Sequence, residues 1–418
     1  MKKAKILIAA MFMAATLGLP ATAVFAATIT LTQADFEAAC TTPDVMTAKG
    51  IRCDTTDSYY AIKAGDYTLG GNVDIDTYSI LLTDDSGNYN INLGGFTLSG
   101  AVDNYDDYLI ILQNGAKTNT ISNGKIINDG DATALGTGGA NTTLSDISIT
   151  SNSNTLYVGA GATDDAGSVI LNNVTSTGAV SVGEESTLVI NSGSYVGTGY
   201  GPAASTDYMT GGNLIINGGT FTADDASAVY ANGPGTSGSV IVNGGTFTSA
   251  GDTGLEILGA KTVRINGGTF KGARAGLGVT EYNTVILAGG TYTATGSDNM
   301  AGAIQMYDVD KAAALLGLLA DGYKYQNGSA DYFEDAGFGM AYLTQKTDSV
   351  VSESTPEEET ATDTSDTSSS STIGTPNSGR ATAAGSATAS FAASAIATSA
   401  ILGITYGTKK HLAKARKN

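Results

Sequence analysis

The chain is expected to fold as an all-β solenoid of stacked parallel strands, and three features of its sequence carry that expectation. One short phrase recurs: Leu-Ile-Ile-Asn-Gly-Gly-Thr-Phe at 214–221, Val-Ile-Val-Asn-Gly-Gly-Thr-Phe at 240–247, Val-Arg-Ile-Asn-Gly-Gly-Thr-Phe at 263–270 and Val-Ile-Leu-Ala-Gly-Gly-Thr-Tyr at 285–292. Its spacings are 26, 23 and 22 residues, the length of one coil in which strand, glycine turn and strand stack on the next copy. From about residue 60 to 305, strand-like runs of a few residues are broken by Gly, Asn, Ser and Thr, and none offers helical spacing.

The elements follow in chain order. Lys2, Lys3 and Lys5 precede an apolar run from Ile6 to Leu19, and Val24-Phe25-Ala26 presents small residues at a peptidase site. Residues 1–26 are therefore read as a secretion signal cut after Ala26, with Ala23 the alternative. Residues 27–60 form an N-terminal cap holding the only two cysteines, Cys40 and Cys53, which an oxidising compartment would join. A cap is needed because the open end of a solenoid exposes a sheet edge.

Residues 61–305 form the coils. Weaker copies of the phrase occur at Leu188-Val189-Ile190-Asn191 and Val169-Ile170-Leu171-Asn172, and alternation persists back to Ile91-Asn92-Leu93. With three strands per coil and roughly 4.8 Å per stacked strand, about ten coils are expected. Residues 306–346 form a C-terminal cap, with a short helix over Val309–Leu319 and strand-like stretches at 322–325 and 340–343. Residues 347–386 form a Ser/Thr/Glu-rich stalk too polar to bury a core. Residues 387–418 carry a weakly apolar stretch to about Tyr406 and a basic tail, Lys409, Lys410, Lys414, Arg416 and Lys417.

Strand parity fixes the interior. Leu214 and Ile216, Val240 and Val242, Val263 and Ile265, and Val285 and Leu287 share one face; the other carries Asn213, Ser239, Thr262 and Thr284, then Ile215, Ile241, Arg264 and Ile286. A guanidinium in an apolar column is very costly, so Arg264 assigns the first set to the core and the second to solvent. Phe221, Phe247, Phe270 and Tyr292 are expected to stack inside. Asn191, Asn217, Asn243 and Asn266 are expected to form a hydrogen-bonded ladder in left-handed turn conformation.

On these residues the chain resembles right-handed parallel β-helices of the pectate-lyase-like superfamily, and more narrowly bacterial surface proteins that repeat Asn-Gly-Gly-Thr-Phe. The resemblance covers about 245 of the 418 residues and implies a fold shared by lyases, hydrolases and non-catalytic adhesins. The run Thr375-Pro376-Asn377-Ser378-Gly379, followed by the apolar stretch and basic tail, resembles the sorting signal that a sortase reads in Gram-positive cell-wall proteins. It departs from Leu-Pro-any-Thr-Gly at Thr375 and Ser378. A plain membrane anchor oriented by its basic tail explains the same residues. Either places the rod outside the cell.

All 40 acidic residues lie between 27 and 374, against 12 basic ones, a net charge of −28 for the exported body. Such a body does not attract nucleic acid or anionic lipid. The single histidine is His411 in the tail, and neither cysteine has a base partner in sequence, so no nucleophile–base pair is expected. Acidic pairs at 84–85, 106–107, 164–165 and 224–225 lie in turn-like sequence. No cofactor is expected; if an ion binds, Asp74-Ile75-Asp76 or Asp129-Gly130-Asp131 would offer oxygens to Ca²⁺. One basic cluster, Lys261, Arg264, Lys271 and Arg274, has Glu256 and Glu281 within a coil of it. Glu256, Arg264, Arg274 and Glu281 are therefore the candidate ligand patch, and no catalytic residue is assigned. The expected function is a non-catalytic, envelope-displayed adhesin or contact protein for an extracellular polymer, glycan or cell surface. The competing expectation is a surface-attached polysaccharide lyase or glycoside hydrolase working through carboxylates.

Overall fold

The computed structural model describes residues 27–353 except 105–106, 160–165, 184, 200, 208–209, 232–237, 260–261, 281–283 and 336–337. The signal segment, stalk, sorting-like motif and tail fall outside the described residues. The chain is a parallel β-solenoid of about nine turns, one fewer than the repeat spacing predicted.

Each turn contributes to three sheets. The first begins at Ile29–Leu31, which pairs with Gly65–Leu69, and runs through Asn213–Ile216, Ser239–Val242 and Thr262–Ile265 to Thr284–Leu287. The stack thus already starts within the segment expected to be only a cap. The second sheet contains the Thr-Phe strands, Thr220–Ala223, Thr246–Ser249, Thr269–Gly272 and Thr291–Ala294, in register ring on ring. The third runs through Ala204–Thr206, Val229–Ala231, Leu255–Ile257 and Ala275–Thr280 to Gly302–Tyr307.

The interior is the one the parity predicted. Leu214, Ile216, Val240, Val242, Val263, Ile265, Val285 and Leu287 are buried, and so are all four aromatic residues of the phrase. Tyr195 joins them to make a five-ring column with centroids 4.9, 5.0, 4.6 and 5.0 Å apart and planes tilted by 11° or less. The rings stack in parallel because hydrogen-bonded strands impose nearly that spacing. The terminal tyrosines donate their hydroxyls to carbonyls three residues back, Tyr195 to Ser192 at 2.9 Å and Tyr292 to Gly289 at 2.7 Å.

The asparagine ladder is present but its conformation differs from expectation. Each Nδ2 donates to the Oδ1 of the preceding coil, from Asn191 to Asn172 at 2.8 Å and at 2.7 Å for Asn217, Asn243 and Asn266. None of these four asparagines has positive φ; the second glycine takes it, with Gly245 at φ 114°. The first glycine is there for steric reasons, since a Cβ on Gly244 would lie 3.2 Å from the Asn217 carbonyl of the coil below. Asn213 and Ser239, expected at the solvent face, are buried instead. They stand at strand starts, where turn carbonyls crowd in: the Asn213 amide donates to Glu185 and Ser186 at 3.1 and 3.0 Å.

The outward positions of the second sheet form two columns over nine successive strands. One holds Thr97, Lys125, Ser148, Thr175, Ser194, Thr220, Thr246, Thr269 and Thr291. The other holds Ser99, Ile127, Thr150, Thr177, Val196, Thr222, Thr248, Lys271 and Thr293. None of the 18 is buried.

Both ends are closed. Helix α1 (Gln33–Thr41) packs Phe36 and Ala39 under the first coil. Its start is held by Asp35, whose carboxylate accepts from the Thr32 N–H at 2.8 Å and pairs with Lys49 at 2.8 Å. Cys40 at its end is disulfide-bonded to Cys53. Tying the cap across 13 residues should contribute about 2–4 kcal/mol. We expect a Cys40→Ser/Cys53→Ser variant to begin melting at lower temperature and to be insensitive to reductant, as read by thermal melts with and without dithiothreitol.

At the far end, the helix expected over 309–319 is a 3₁₀ helix, Ala312–Leu318. Gly317 and the short length disfavour an α-helix, while Leu315 and Leu318, the two buried residues, recur at the three-residue period. Thr347–Ser352, expected to open the stalk, is an antiparallel strand against Thr291–Ala294. Val350 is buried there, and the buried Asp348 carboxylate accepts from the backbone N–H groups of Asn327, Gly328 and Ser349 at 3.1, 3.2 and 2.7 Å.

Candidate functional site: a carboxylate–guanidinium cluster on the third sheet

The basic cluster read from the sequence is dispersed by the fold. Arg264 lies on the first sheet, Lys271 on the second, and Arg274 in the turn leading to the third. Lys261 and Glu281 fall outside the described residues. Of the four candidate ligand residues, the structure brings together Glu256 and Arg274.

Arg264 plays a different part. Its Nε donates to Asn266 Oδ1 at 2.8 Å. Asn266 is the last rung of the amide ladder, because Ala288 replaces asparagine in the next coil. Arg264 thus supplies the donor that the missing amide would have given. Replacing Asn243 with alanine breaks two ladder bonds and should cost about 1–2 kcal/mol; Arg264→Ala, at an exposed position, should cost less than about 0.5 kcal/mol. Chemical denaturation of both variants checks the order, and a costlier Arg264→Ala would refute the terminator role.

Glu256 is at the centre of Leu255–Ile257, flanked by two core residues, and its own side chain points out from the sheet. It is nonetheless only 5% exposed. Stacked turns of three coils converge on it. Ser227 Oγ lies 2.9 Å from Glu256 Oε2 and 3.1 Å from Asp252 Oδ2. Arg274 Nη1 donates to Asp252 Oδ1 at 2.8 Å and approaches Glu256 Oε1 at 3.8 Å. The fourth coil closes the top: Arg274 Nη2 donates to Tyr307 Oη at 2.8 Å, Tyr307 Oη donates to Gln305 Oε1 at 2.8 Å, and Gln305 Nε2 donates to the Met300 carbonyl at 2.9 Å. The guanidinium also lies over the Tyr307 ring, 5.6 Å from its centroid. Gly278 makes this possible, since a Cβ there would stand 3.0 Å from Tyr307 Oη.

Protonation follows from the geometry. Burial, then the Asp252 charge, pushes the Glu256 carboxyl up to about 7, against the pull of Arg274 and Ser227. A serine hydroxyl has one proton, so it cannot donate to two carboxylates at once. A protonated Glu256 resolves this: Glu256 donates to Ser227, which donates to Asp252, which is paired with Arg274. The Tyr307 hydroxyl is likewise held neutral, its pKa raised by burial first and by Glu256 second.

Asp252, Ser227, Tyr307, Gln305 and Gly278 are members that the sequence did not point to. Asp252 and Ser227 occupy equivalent turns of neighbouring coils, a signal readable only once coils are aligned by length. The arrangement holds two carboxyls and a guanidinium, the residue types acid–base chemistry uses, but Glu256 is sealed beneath its partners. Among the described residues no three His, Cys, Asp or Glu side chains are placed to share a metal ion. The carboxylate of Asp74 caps its own loop, accepting from the Asp76 N–H at 3.1 Å. A core void of about 30 Å³ lies between α1 and the first coils, lined by residues such as Leu31, Phe36, Leu69 and Leu93, and offers no polar site. Comparison with protein families, curated proteins and solved structures finds no match to the chain.

Proposed function

We propose that this chain is a non-catalytic contact protein: a pectate-lyase-like parallel β-helix exported by its N-terminal signal, held at the outer face of a bacterial envelope by its C-terminal segment, and used to meet an extracellular polymer, glycan or cell surface. The observation that carries the non-catalytic part is the closure of the Glu256 cluster. Ser227, Asp252, Tyr307 and the two terminal guanidinium nitrogens of Arg274 are engaged within the chain, and Glu256 is buried beneath them, so a substrate would have to displace these partners to reach it. The display part is supported by the order of signal, rod, polar stalk, Thr375–Gly379 motif, apolar stretch and basic tail. The reading calls for no cofactor and no nucleic acid.

The second reading, a polysaccharide lyase or glycoside hydrolase, is favoured by one observation: Asp252, Glu256 and Arg274 do converge from adjacent coils. Incubating the full chain with acidic and neutral polysaccharides separates the two. Retention of polymer without chain cleavage is expected. Release of fragments by the native chain, abolished in Glu256→Gln, would replace the contact reading with the enzymatic one. Fractionation of cells carrying a Pro376→Ala variant tests the anchor: loss of covalent wall attachment is the sorting outcome, and unchanged attachment removes it.

A further inference from the structure

We propose that the outward face of the second sheet is the contact surface of the rod, and that its partner is a neutral polysaccharide whose chains are packed in an ordered, insoluble array. The assignment rests on the contact reading above and names its surface and ligand class.

The three faces differ in what they leave open. The polar row of the first sheet is closed on itself by the amide ladder. On the third sheet the outward residues Ser205, Glu256 and Gln305 are buried, and Tyr157 and Tyr230 in the same column are half-buried. On the second sheet, Thr220, Thr246 and Thr269 are exposed, Thr222 and Thr248 are half-buried, and their hydroxyls make no hydrogen bond within the described residues.

The fold itself does not require hydroxyls here. β-branched apolar residues serve a strand surface equally well, and the first sheet uses Ile215, Ile241 and Ile286 at its outward positions. Yet 14 of the 18 outward positions on the second sheet are Ser or Thr. The pattern continues where the repeat phrase does not, as at Thr175 and Thr177. Even the antiparallel closing strand extends it: Ser349 Oγ lies 3.0 Å from Thr291 Oγ1, and Thr347 Oγ1 lies 3.2 Å from Thr293 Oγ1.

Charge points to a neutral partner. Over these 18 positions there is no Asp or Glu, in a body with 40 acidic residues, and the charges are Lys125 and Lys271; an exposed acid, Asp74, adjoins them on the two-residue strand in register with Ser99 at the N-terminal end of the column. The face is thus spared the repulsion the rest of the rod presents, while the whole molecule still repels polyanions and its own copies.

Geometry points to an ordered one. The hydroxyls repeat at roughly 4.8 Å along the rod and roughly 6.6 Å across it, over a length on the order of 40 Å. Threonine side chains have few χ1 states in a strand, so the lattice is fixed before contact. Trading water for one hydroxyl partner gains little. Only many simultaneous contacts, with no ordering cost on either side, add up to retention. The aromatic rings of this sheet all point inward, so the ring stacking by which a single flexible sugar chain is held is absent from the face.

The test is co-sedimentation of the full chain with microcrystalline cellulose and with chitin, against soluble polygalacturonate and against ice shavings. Native chain and a Thr220→Val/Thr222→Val/Thr246→Val/Thr248→Val variant are compared, with Ile215→Thr/Ile241→Thr on the first sheet as control. Valine keeps shape and strand preference, so an unchanged thermal melt shows the fold intact. Retention on cellulose or chitin that falls tenfold or more in the valine variant, with the control unaffected, supports the assignment. Retention unaffected by the valines, retention on polygalacturonate or ice alone, or self-association lost in the valine variant overturns it while leaving a contact function standing. A native chain retained on no polymer and no cell surface removes the contact reading too.

Discussion

Replacing Phe247 with alanine should destabilise the rod by about 3–5 kcal/mol, the range for truncating a buried aromatic. Phe247 is the middle ring of five, fully buried, with neighbours 5.0 and 4.6 Å away. What makes the site unforgiving is the backbone on either side. Phe221 and Phe270 are carried by strands in register with its own, so neither ring can slide into the vacancy without breaking a ladder of hydrogen bonds. A cavity that cannot collapse keeps its full cost. Phe247→Tyr should be tolerated within about 1 kcal/mol, because Tyr195 and Tyr292 show where the hydroxyl goes: to the carbonyl three residues back, here Gly244. Guanidinium unfolding followed by tyrosine fluorescence in this tryptophan-free chain checks both. An alanine variant within about 1 kcal/mol of native would mean the column does not hold the coils together.

The aromatic column, the apolar core and the amide ladder were legible because each depends on one residue's parity within a repeat. The phrase recurs four times, and a guanidinium at 264 removes the ambiguity of which face is inside. The site was harder to read because its members are scattered in sequence and brought together by coil length. Arg264 and Arg274 look like neighbours in the chain, yet one turn of the solenoid puts them on different faces. Ser227, Asp252 and Arg274 look unrelated, yet they occupy stacked turns. Distance in sequence is a poor guide in a fold whose coil-to-coil partners lie 19 residues apart at Val169 and Leu188 and 30 apart at Ile91 and Ile121. The closing strand Thr347–Ser352 escapes a sequence reading for a different reason. Its polar composition matches the segment that follows, and only the burial of Val350 and Asp348 sets it apart.

The cluster around Glu256 predicts an unusual slope in stability against pH. A carboxyl whose folded pKa is raised binds its proton more tightly when folded than when unfolded. Between the ordinary value of 4.5 and about 7, the folded chain therefore holds more protons than the unfolded one, and stability falls as pH rises. The stabilisation is complete below about 4.5 and is lost as pH climbs through 7, by an amount on the order of 3 kcal/mol for this buried group. Glu256→Gln removes the titration while keeping a side-chain N–H to donate to Ser227. The variant should show a flatter profile from about pH 5 to 7 and should be more stable than the native chain at about pH 8, where native Glu256 is charged, buried and beside Asp252. Arg274→Ala should act oppositely, moving the native midpoint upward by withdrawing the one cation that favours ionisation. All other carboxylates are common to the native and Gln proteins, so the difference between their denaturation curves isolates this residue. Parallel curves across that range would mean that Glu256 is ionised in the folded chain, and that the proton placed between it and Ser227 is not there.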